Sequence, residues 1–93
     1  MTVLDFSAYD DIPYHTQYEL RAWVEKGYFP GSFLTGVLCN DLFAAVGSAD
    51  AQNIKALKAI TTFVYNRVPA VAWGSAAKMR AYAKKVWDAK ETV

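Results

Sequence analysis

The sequence predicts an all-α fold: a compact bundle of about four helices with a docked, irregular N-terminal arm. Runs that alternate apolar and polar residues, which are typical of strands, are absent. Ala and Lys dominate the second half of the chain, and helix start and stop signals recur along its length. With 93 residues, 54% of them hydrophobic, we expect one domain over 1–93, with the arm at 1–15 and the helical bundle at 16–90.

The arm is expected to dock on the bundle because it contains large apolar side chains that favour burial. These are Leu4, Phe6 and Ile12. The first helix is predicted to begin at Thr16, where Thr16 and Glu19 have the spacing of a capping box. It should end at Gly27, because glycine adopts the left-handed conformation after a helix at little cost.

The second helix is predicted over about 32–46, with Gly47 ending it. Gly36 lies inside this helix, where it costs about 1 kcal/mol relative to alanine, so we expect another helix to approach closely there. The third helix should run from a cap at Ser48 to about Arg67, because the residue before Pro69 avoids the helical region. Its predicted core residues are Ile54, Leu57, Ile60, Phe63 and Val64.

The last helix follows Ser75, a favoured N-cap residue. Trp73, in the connector before it, is interpreted as a core residue. The predicted inward side contains Met79, Tyr82, Val86 and Trp87, and the solvated side contains Lys78, Arg80, Lys84, Lys85 and Lys90.

Charge is distributed unevenly. Residues 1–50 have a net charge of −5 and residues 51–93 one of +6, although the whole chain has only +1. The opposite charges of the two halves can compensate each other within one fold, or one charged half can bind a partner of opposite charge. The chain also has three Trp, six Tyr and five Phe, more rings than so small a core accommodates. We therefore expect a homo-oligomer or a ligand pocket lined by aromatic residues.

Several function classes find little support in the sequence. Cys39 is the only cysteine and lies in an apolar run, which indicates a structural thiol. The sequence contains no cluster of His, Cys and carboxylate residues that would suggest a metal site. Neither a cofactor motif nor a catalytic triad is recognisable, so no enzyme is expected. The predominance of lysine on the last helix and the near-neutral charge argue against DNA binding. Without an 18-residue apolar run or a signal sequence, we expect a cytoplasmic protein, in the host cell if it is viral.

The most informative segment is the turn before the second helix, Pro30-Gly31-Ser32-Phe33. Backbone N–H groups at a helix start can hold a phosphate, and Tyr28, Phe29 or Phe33 could stack on a base. The same residues are also compatible with an ordinary helix cap.

Four further residues complete the predicted ligand-binding set. Asn40 and Asp41 interrupt an apolar helix and could read sugar or base edges, or bond across helices to Thr16 or Asn53. Arg67 could bind a phosphate in a bidentate manner. His15 is interpreted mainly as a structural hydrogen-bonding residue at the helix start.

Several motifs together resemble a group of small phage and prophage proteins, whose pattern is similar to IPxHT…PGGFL…VLxNDL…AD…N…YN…P…WGS. The matching segments here lie between residues 12 and 75, with Ser32 in place of a second glycine and Gln17 in place of an arginine. The resemblance implies a phage origin but no mechanism. Small phage proteins without catalytic machinery often block host defence, which leads to two hypotheses. The first is sequestration of a nucleotide-derived defence signal, and the alternative is direct inhibition of a host defence protein.

Overall fold

In the computed structural model, which describes residues 4–91 except the side chains of Lys90 and Glu91, six α-helices form the molecule. They are α1 (Tyr14–Lys26), α2 (Ser32–Leu38), α3 (Leu42–Ser48), α4 (Ala51–Lys55), α5 (Leu57–Arg67) and α6 (Ala76–Glu91), with a short 3-10 turn at Ala70–Ala72. The described range contains no strand. The all-α prediction is therefore confirmed, whereas the predicted number of about four helices is wrong.

Two breaks explain the larger number of helices. The predicted second helix is divided at Asn40, whose φ of 61° is left-handed and stops the helical path. Asp41 then accepts a hydrogen bond from the backbone N–H of Ala44 and begins α3. The predicted third helix begins with Asp50 rather than Ser48 as its cap, and it is interrupted at Ala56.

The capping box predicted at Thr16 is also wrong, because α1 begins two residues earlier and follows Pro13. Proline supplies a favourable backbone angle before the helix, and Thr16 instead turns its hydroxyl into the core. Gly27 ends α1 with a φ of 69°, as predicted. Ser75 also caps α6 as predicted, by accepting a hydrogen bond from the backbone N–H of Lys78.

The arm docks on the bundle, as predicted, over its described residues from Leu4 onward. The ring of Phe6 stacks on Phe63 of α5 with 4.2 Å between centroids, and Tyr9 meets the same ring edge-on. The arm therefore covers one side of a core that includes Leu20, Trp23, Leu34, Leu38, Ile60, Phe63 and Met79.

Helices α2 and α3 pack against each other at Gly36. A Cβ at this position would lie 2.6 Å from the backbone nitrogen of Ala45, so the close approach inferred from the sequence is confirmed. Ile54, predicted as a core residue, is instead exposed on the short α4. The radius of gyration of 12.7 Å is that of a compact chain of this length. In the described part of the chain, no helix is long and apolar enough to cross a bilayer.

Candidate ligand-binding site

The turn at Gly31 already holds a carboxylate. Glu19 of α1 accepts a hydrogen bond from the backbone N–H of Gly31 at 2.7 Å. An incoming phosphate would meet this negative charge at the start of α2, which has only seven residues. Ser32, the first residue of that helix, is exposed. The turn is thus organised mainly by contacts within the chain.

The aromatic residues around this turn are only partly free to stack. Phe33 is buried in the core. Phe29 packs on Trp23 with 5.1 Å between ring centroids, and Tyr28 lies beside the Lys26 ammonium group, 5.9 Å from its ring centroid. Tyr28 and Phe29 remain exposed, so they keep an accessible surface beside the turn.

The other predicted ligand-binding residues have different neighbours. The Nε2 of His15 lies 3.6 Å from the Oδ2 of Asp50. The guanidinium of Arg67 lies 6.0 Å from the centroid of Tyr9, and the Asn66 and Arg67 side chains lower the pKa of Tyr9 by hydrogen bonding. Asn40 and Asp41 lie at the opposite end of α2 from Gly31. The nine predicted residues are thus divided among separate parts of the molecule, and as ligand-binding residues they remain predictions.

Asn40 and Asp41, however, border a groove between the α2–α3 turn and α5. Two neighbouring cavities form it, one of about 380 Å³ and one of about 100 Å³, and they share Val37, Asn40 and Thr61. We call the two together the Asn40 groove. The larger cavity is also lined by Thr62, Val64, Tyr65 and Trp73, and the smaller by Gly36, Asp41, Leu42, Ala45 and Leu57.

Two aromatic rings stand at the larger cavity. Tyr65 is 74% exposed, and its ring centroid lies 6.0 Å from that of Trp73. Trp73 is held by a hydrogen bond from its Nε1 to the Val68 carbonyl oxygen. One ring is therefore fixed while the other is accessible, an arrangement suited to stacking against a planar ligand.

Tertiary contacts bring the start of α6 to the same place. The backbone N–H of Gly74 donates to the Leu38 carbonyl oxygen at 2.6 Å. The thiol of Cys39 donates to the Met79 thioether sulfur at 3.4 Å. Through these two contacts, the Asn40 turn, Trp73 and the first turn of α6 converge at one end of the groove.

This convergence places one positive charge near the residue that follows Trp73. The Lys78 Nζ lies 3.3 Å from the position that a Cβ on Gly74 would occupy. The pKa of the Cys39 thiol is raised by burial, which is the largest influence, and by Asp41, whereas Arg80 lowers it. The larger cavity itself has no charged lining residue.

The ligand-binding set predicted from the sequence lacks Tyr65, Trp73, Lys78 and Arg80. The sequence pattern predicts Trp73 as a core residue and the two basic residues on a solvated helix face. Tyr65 and Trp73 belong to the segments on which the predicted resemblance to phage proteins depends, and this is the only signal that singles them out. Their proximity depends on the connector folding back to α2, and no spacing rule in the sequence reveals that contact.

The direction of the Cys39 pKa leads to a chemical prediction. Since burial raises the pKa of this thiol, a smaller fraction is thiolate at pH 8 than for an unperturbed cysteine, and only the thiolate is nucleophilic. We expect iodoacetamide to alkylate Cys39 several-fold more slowly in the native protein than in urea. Mass spectrometry at timed intervals measures both rates. Equal rates in the two conditions would contradict this account of Cys39.

A broader depression lies between the arm and the helices α4 and α5. Its volume is about 770 Å³, and its rim contains both acids and bases: Asp10, Asp11, Lys55 and Lys58. These opposite charges compensate one another, and the depression lacks a pair of rings in contact. It is therefore a weaker candidate for an anionic ligand than the Asn40 groove.

No family model matches this chain, and no curated protein or solved structure is significantly similar to it. Among the described residues, no group of three or more His, Cys, Asp and Glu side chains is arranged to hold a metal ion. The candidate site therefore rests on the geometry of the groove alone.

Proposed function

We propose that this chain is a non-catalytic binding protein that sequesters a nucleotide-derived signal of host defence in the Asn40 groove. The observation that carries the proposal is the exposed Tyr65 ring next to Trp73, both of which line the larger cavity. The host-defence role rests on the resemblance to small phage proteins.

The larger cavity has the size and chemistry for a nucleobase. Its volume of about 380 Å³ falls within the range of about 300–1,000 Å³ that is common for small-molecule pockets. A base can stack on Tyr65, while the Asn40 amide and the Thr62 hydroxyl offer both donors and acceptors to its edge. The Thr61 hydroxyl already donates to the Leu57 carbonyl oxygen, so it offers only an acceptor. Stacking of this kind is worth about 1–3 kcal/mol per base.

Charge determines which way the ligand would point. Asp41 borders the small cavity and would repel phosphate there, whereas Lys78 lies beside Gly74, the residue that follows Trp73. Lysine and arginine both bind phosphate, arginine with two parallel hydrogen bonds. A nucleotide would therefore place its base in the groove and its phosphate over the first turn of α6.

The groove supports binding rather than a reaction. Nucleophilic catalysis requires a nucleophile within hydrogen-bond reach of a base. The Nε2 of His15 lies 3.6 Å from the Oδ2 of Asp50, and His15 does not line either cavity of the groove. Among the described residues that line the groove, the only acidic residue is Asp41, and its side chain accepts the cap hydrogen bond of α3.

We expect a cyclic dinucleotide or an ADP-ribose-type signal to raise the melting temperature of the protein, since a ligand that binds only the native state stabilises it. Tyr65→Ala should weaken that binding about tenfold, because it removes the accessible stacking ring. Isothermal titration calorimetry with the best ligand of the panel measures this loss directly.

Tyr18→Ala is the matched control, because Tyr18 is 72% exposed on α1 and lies outside the groove. Lys78→Ala should weaken the binding of a nucleotide more than the binding of the corresponding nucleoside, because only the nucleotide has a phosphate for Lys78 to contact. The proposal fails if no member of the panel shifts the melting temperature, or if the Tyr65 and Tyr18 variants bind equally.

A further inference from the structure

We propose that the depression between the arm and the helices α4 and α5 binds a short apolar peptide by both of its charged ends. The arm contributes the acids that line it, Asp10 and Asp11, and the helices contribute the bases, Lys55 and Lys58. The arm side therefore attracts an ammonium group and the helix side a carboxylate. Asp10 also borders an adjoining cavity that includes Arg21, so Asp11 is the acid assigned to the peptide.

The acids and bases of the depression are equal in number but do not form ion pairs with each other. Among the described residues, ion pairs join only His15 to Asp50 and Lys84 to Asp88. The charges of the depression therefore stay on opposite sides of a space of about 770 Å³. A ligand with one positive and one negative end meets both sides, whereas a purely anionic or cationic ligand is repelled by one of them.

The floor of the depression is apolar. Ile12 and Ala56 line it although they are only 2% and 4% exposed, so these two residues form its bottom. An apolar side chain of the ligand would leave water there, and a less polar surrounding strengthens the ionic contacts at the rim. The volume also falls within the range of about 300–1,000 Å³ that is common for small-molecule pockets.

Contacts with α1 hold both sides of the depression in place. On the arm side, the Nε2 of buried Gln17 donates to the Ile12 carbonyl oxygen at 2.9 Å. On the helix side, the hydroxyl of the preceding residue, Thr16, donates to the Oδ1 of Asn53 in α4 at 2.6 Å. Two neighbouring residues of one helix thus fix the spacing of the two sides, and a site formed in advance loses less conformational entropy when a ligand binds.

The separation of the charges favours a peptide over a free amino acid. In an amino acid the ammonium and the carboxylate are attached to the same carbon, whereas an extended peptide lengthens by about 3.3 Å per residue. Gln52 and Thr62 also line the depression and can form hydrogen bonds with the peptide backbone. Thr62 is the one lining residue that the depression shares with the Asn40 groove, and this proposal does not depend on the function proposed for that groove.

The test is an NMR titration of the isotope-labelled full chain with leucyl-leucine, N-acetyl-leucyl-leucine and leucyl-leucinamide. Each modified dipeptide lacks one of the two charges. We expect leucyl-leucine to shift the amide signals of the depression and to bind about two- to fivefold more tightly than either modified form, the size expected for exposed ionic contacts. Added salt should reduce this difference, because it screens exposed charges.

Substitutions on the two sides should separate the two ends of the peptide. Lys55→Gln combined with Lys58→Gln should weaken the binding of leucyl-leucine but not that of leucyl-leucinamide, which has no carboxylate. Asp11→Asn should weaken the binding of leucyl-leucine but not that of the acetylated form, which has no ammonium group. Lys84→Gln combined with Lys85→Gln is the matched control, since both lysines are exposed on α6 and lie outside the depression, and it should bind like the wild type.

All the substituted side chains are exposed, so the variants should keep the wild-type helical circular dichroism. The proposal is overturned if leucyl-leucine causes no shift at the depression up to about 50 mM, far above a millimolar dissociation constant. Equal affinities for the three dipeptides would overturn it too, as would equal losses in the two double-lysine variants. Leucine binding as tightly as leucyl-leucine would contradict a ligand that spans the two sides.

Discussion

Gly36→Ala should lower the free energy of unfolding by about 2–3 kcal/mol, the larger of the two stability effects expected here. The new Cβ would lie 2.6 Å from the nitrogen and 2.9 Å from the Cα of Ala45. Those are backbone atoms, so α2 and α3 must separate, and overpacking of this kind costs about 1–3 kcal/mol or more. The higher helix propensity of alanine relative to glycine offsets at most about 1 kcal/mol of this loss.

Gly47→Ala is the matched control in the adjoining helix. A Cβ at Gly47 would meet nothing within 4 Å, so this variant should be more stable than the wild type by about 0.5–1 kcal/mol. Urea denaturation followed by tryptophan fluorescence measures both changes. If both glycine variants changed the free energy of unfolding in the same direction, this would contradict the prediction that the close contact between α2 and α3 excludes a Cβ at Gly36.

The Gly36 variant should also affect the candidate site. Gly36 and Ala45 both line the small cavity of the Asn40 groove. Separation of α2 from α3 would therefore change the groove as well as the stability. We expect weaker ligand binding by Gly36→Ala even at temperatures where the variant is folded, whereas Gly47→Ala should bind like the wild type.

Thr16→Val should cost about 2 kcal/mol, because it removes one partner of a buried hydrogen bond. The Thr16 hydroxyl donates to the Oδ1 of Asn53 at 2.6 Å, and both side chains are buried. The isosteric valine leaves the Asn53 oxygen without that donor, and an unsatisfied buried polar group costs about 1–3 kcal/mol. The contact joins α1 to α4, so its loss weakens the attachment of two helices.

The pair is best measured as a double-mutant cycle in urea denaturation. The variant with both Thr16→Val and Asn53→Leu should recover part of the loss, since replacing both partners by apolar groups is less costly than orphaning one. Thr61→Val is the exposed control, with an expected change within about 0.5 kcal/mol. A Thr16→Val variant as stable as the wild type would contradict a structural role for this bond.

The residues on which the predicted resemblance to phage proteins depends are largely structural in this fold. Pro13 precedes α1, Thr16 bonds to Asn53, Asp50 caps α4 and Asp41 caps α3. Helix starts and cross-helix bonds therefore explain these four residues without a ligand. Asn40, Asp41, Tyr65 and Trp73 also border the groove.

Local signals predicted the helical fold well. Gly27 and Ser75 act as predicted because a left-handed glycine and a serine cap depend on a few neighbouring residues only. The two helix breaks that were not predicted are at Asn40 and Ala56, because the apolar pattern resumes directly after each of them. An apolar pattern cannot show such a break, since both halves of an interrupted helix still bury the same kinds of side chain.

The sequence by itself determined the all-helical class, the docking of the arm and the close approach at Gly36, because periodicity, caps and side-chain size act locally. Only the tertiary structure decided where the candidate site lies. The Gly31 turn receives the Glu19 carboxylate from another helix, while the Gly74–Leu38 contact brings Trp73 and Lys78 to Asn40. Both arrangements depend on contacts between residues that are distant in the chain, and local sequence patterns predict only contacts between neighbouring residues.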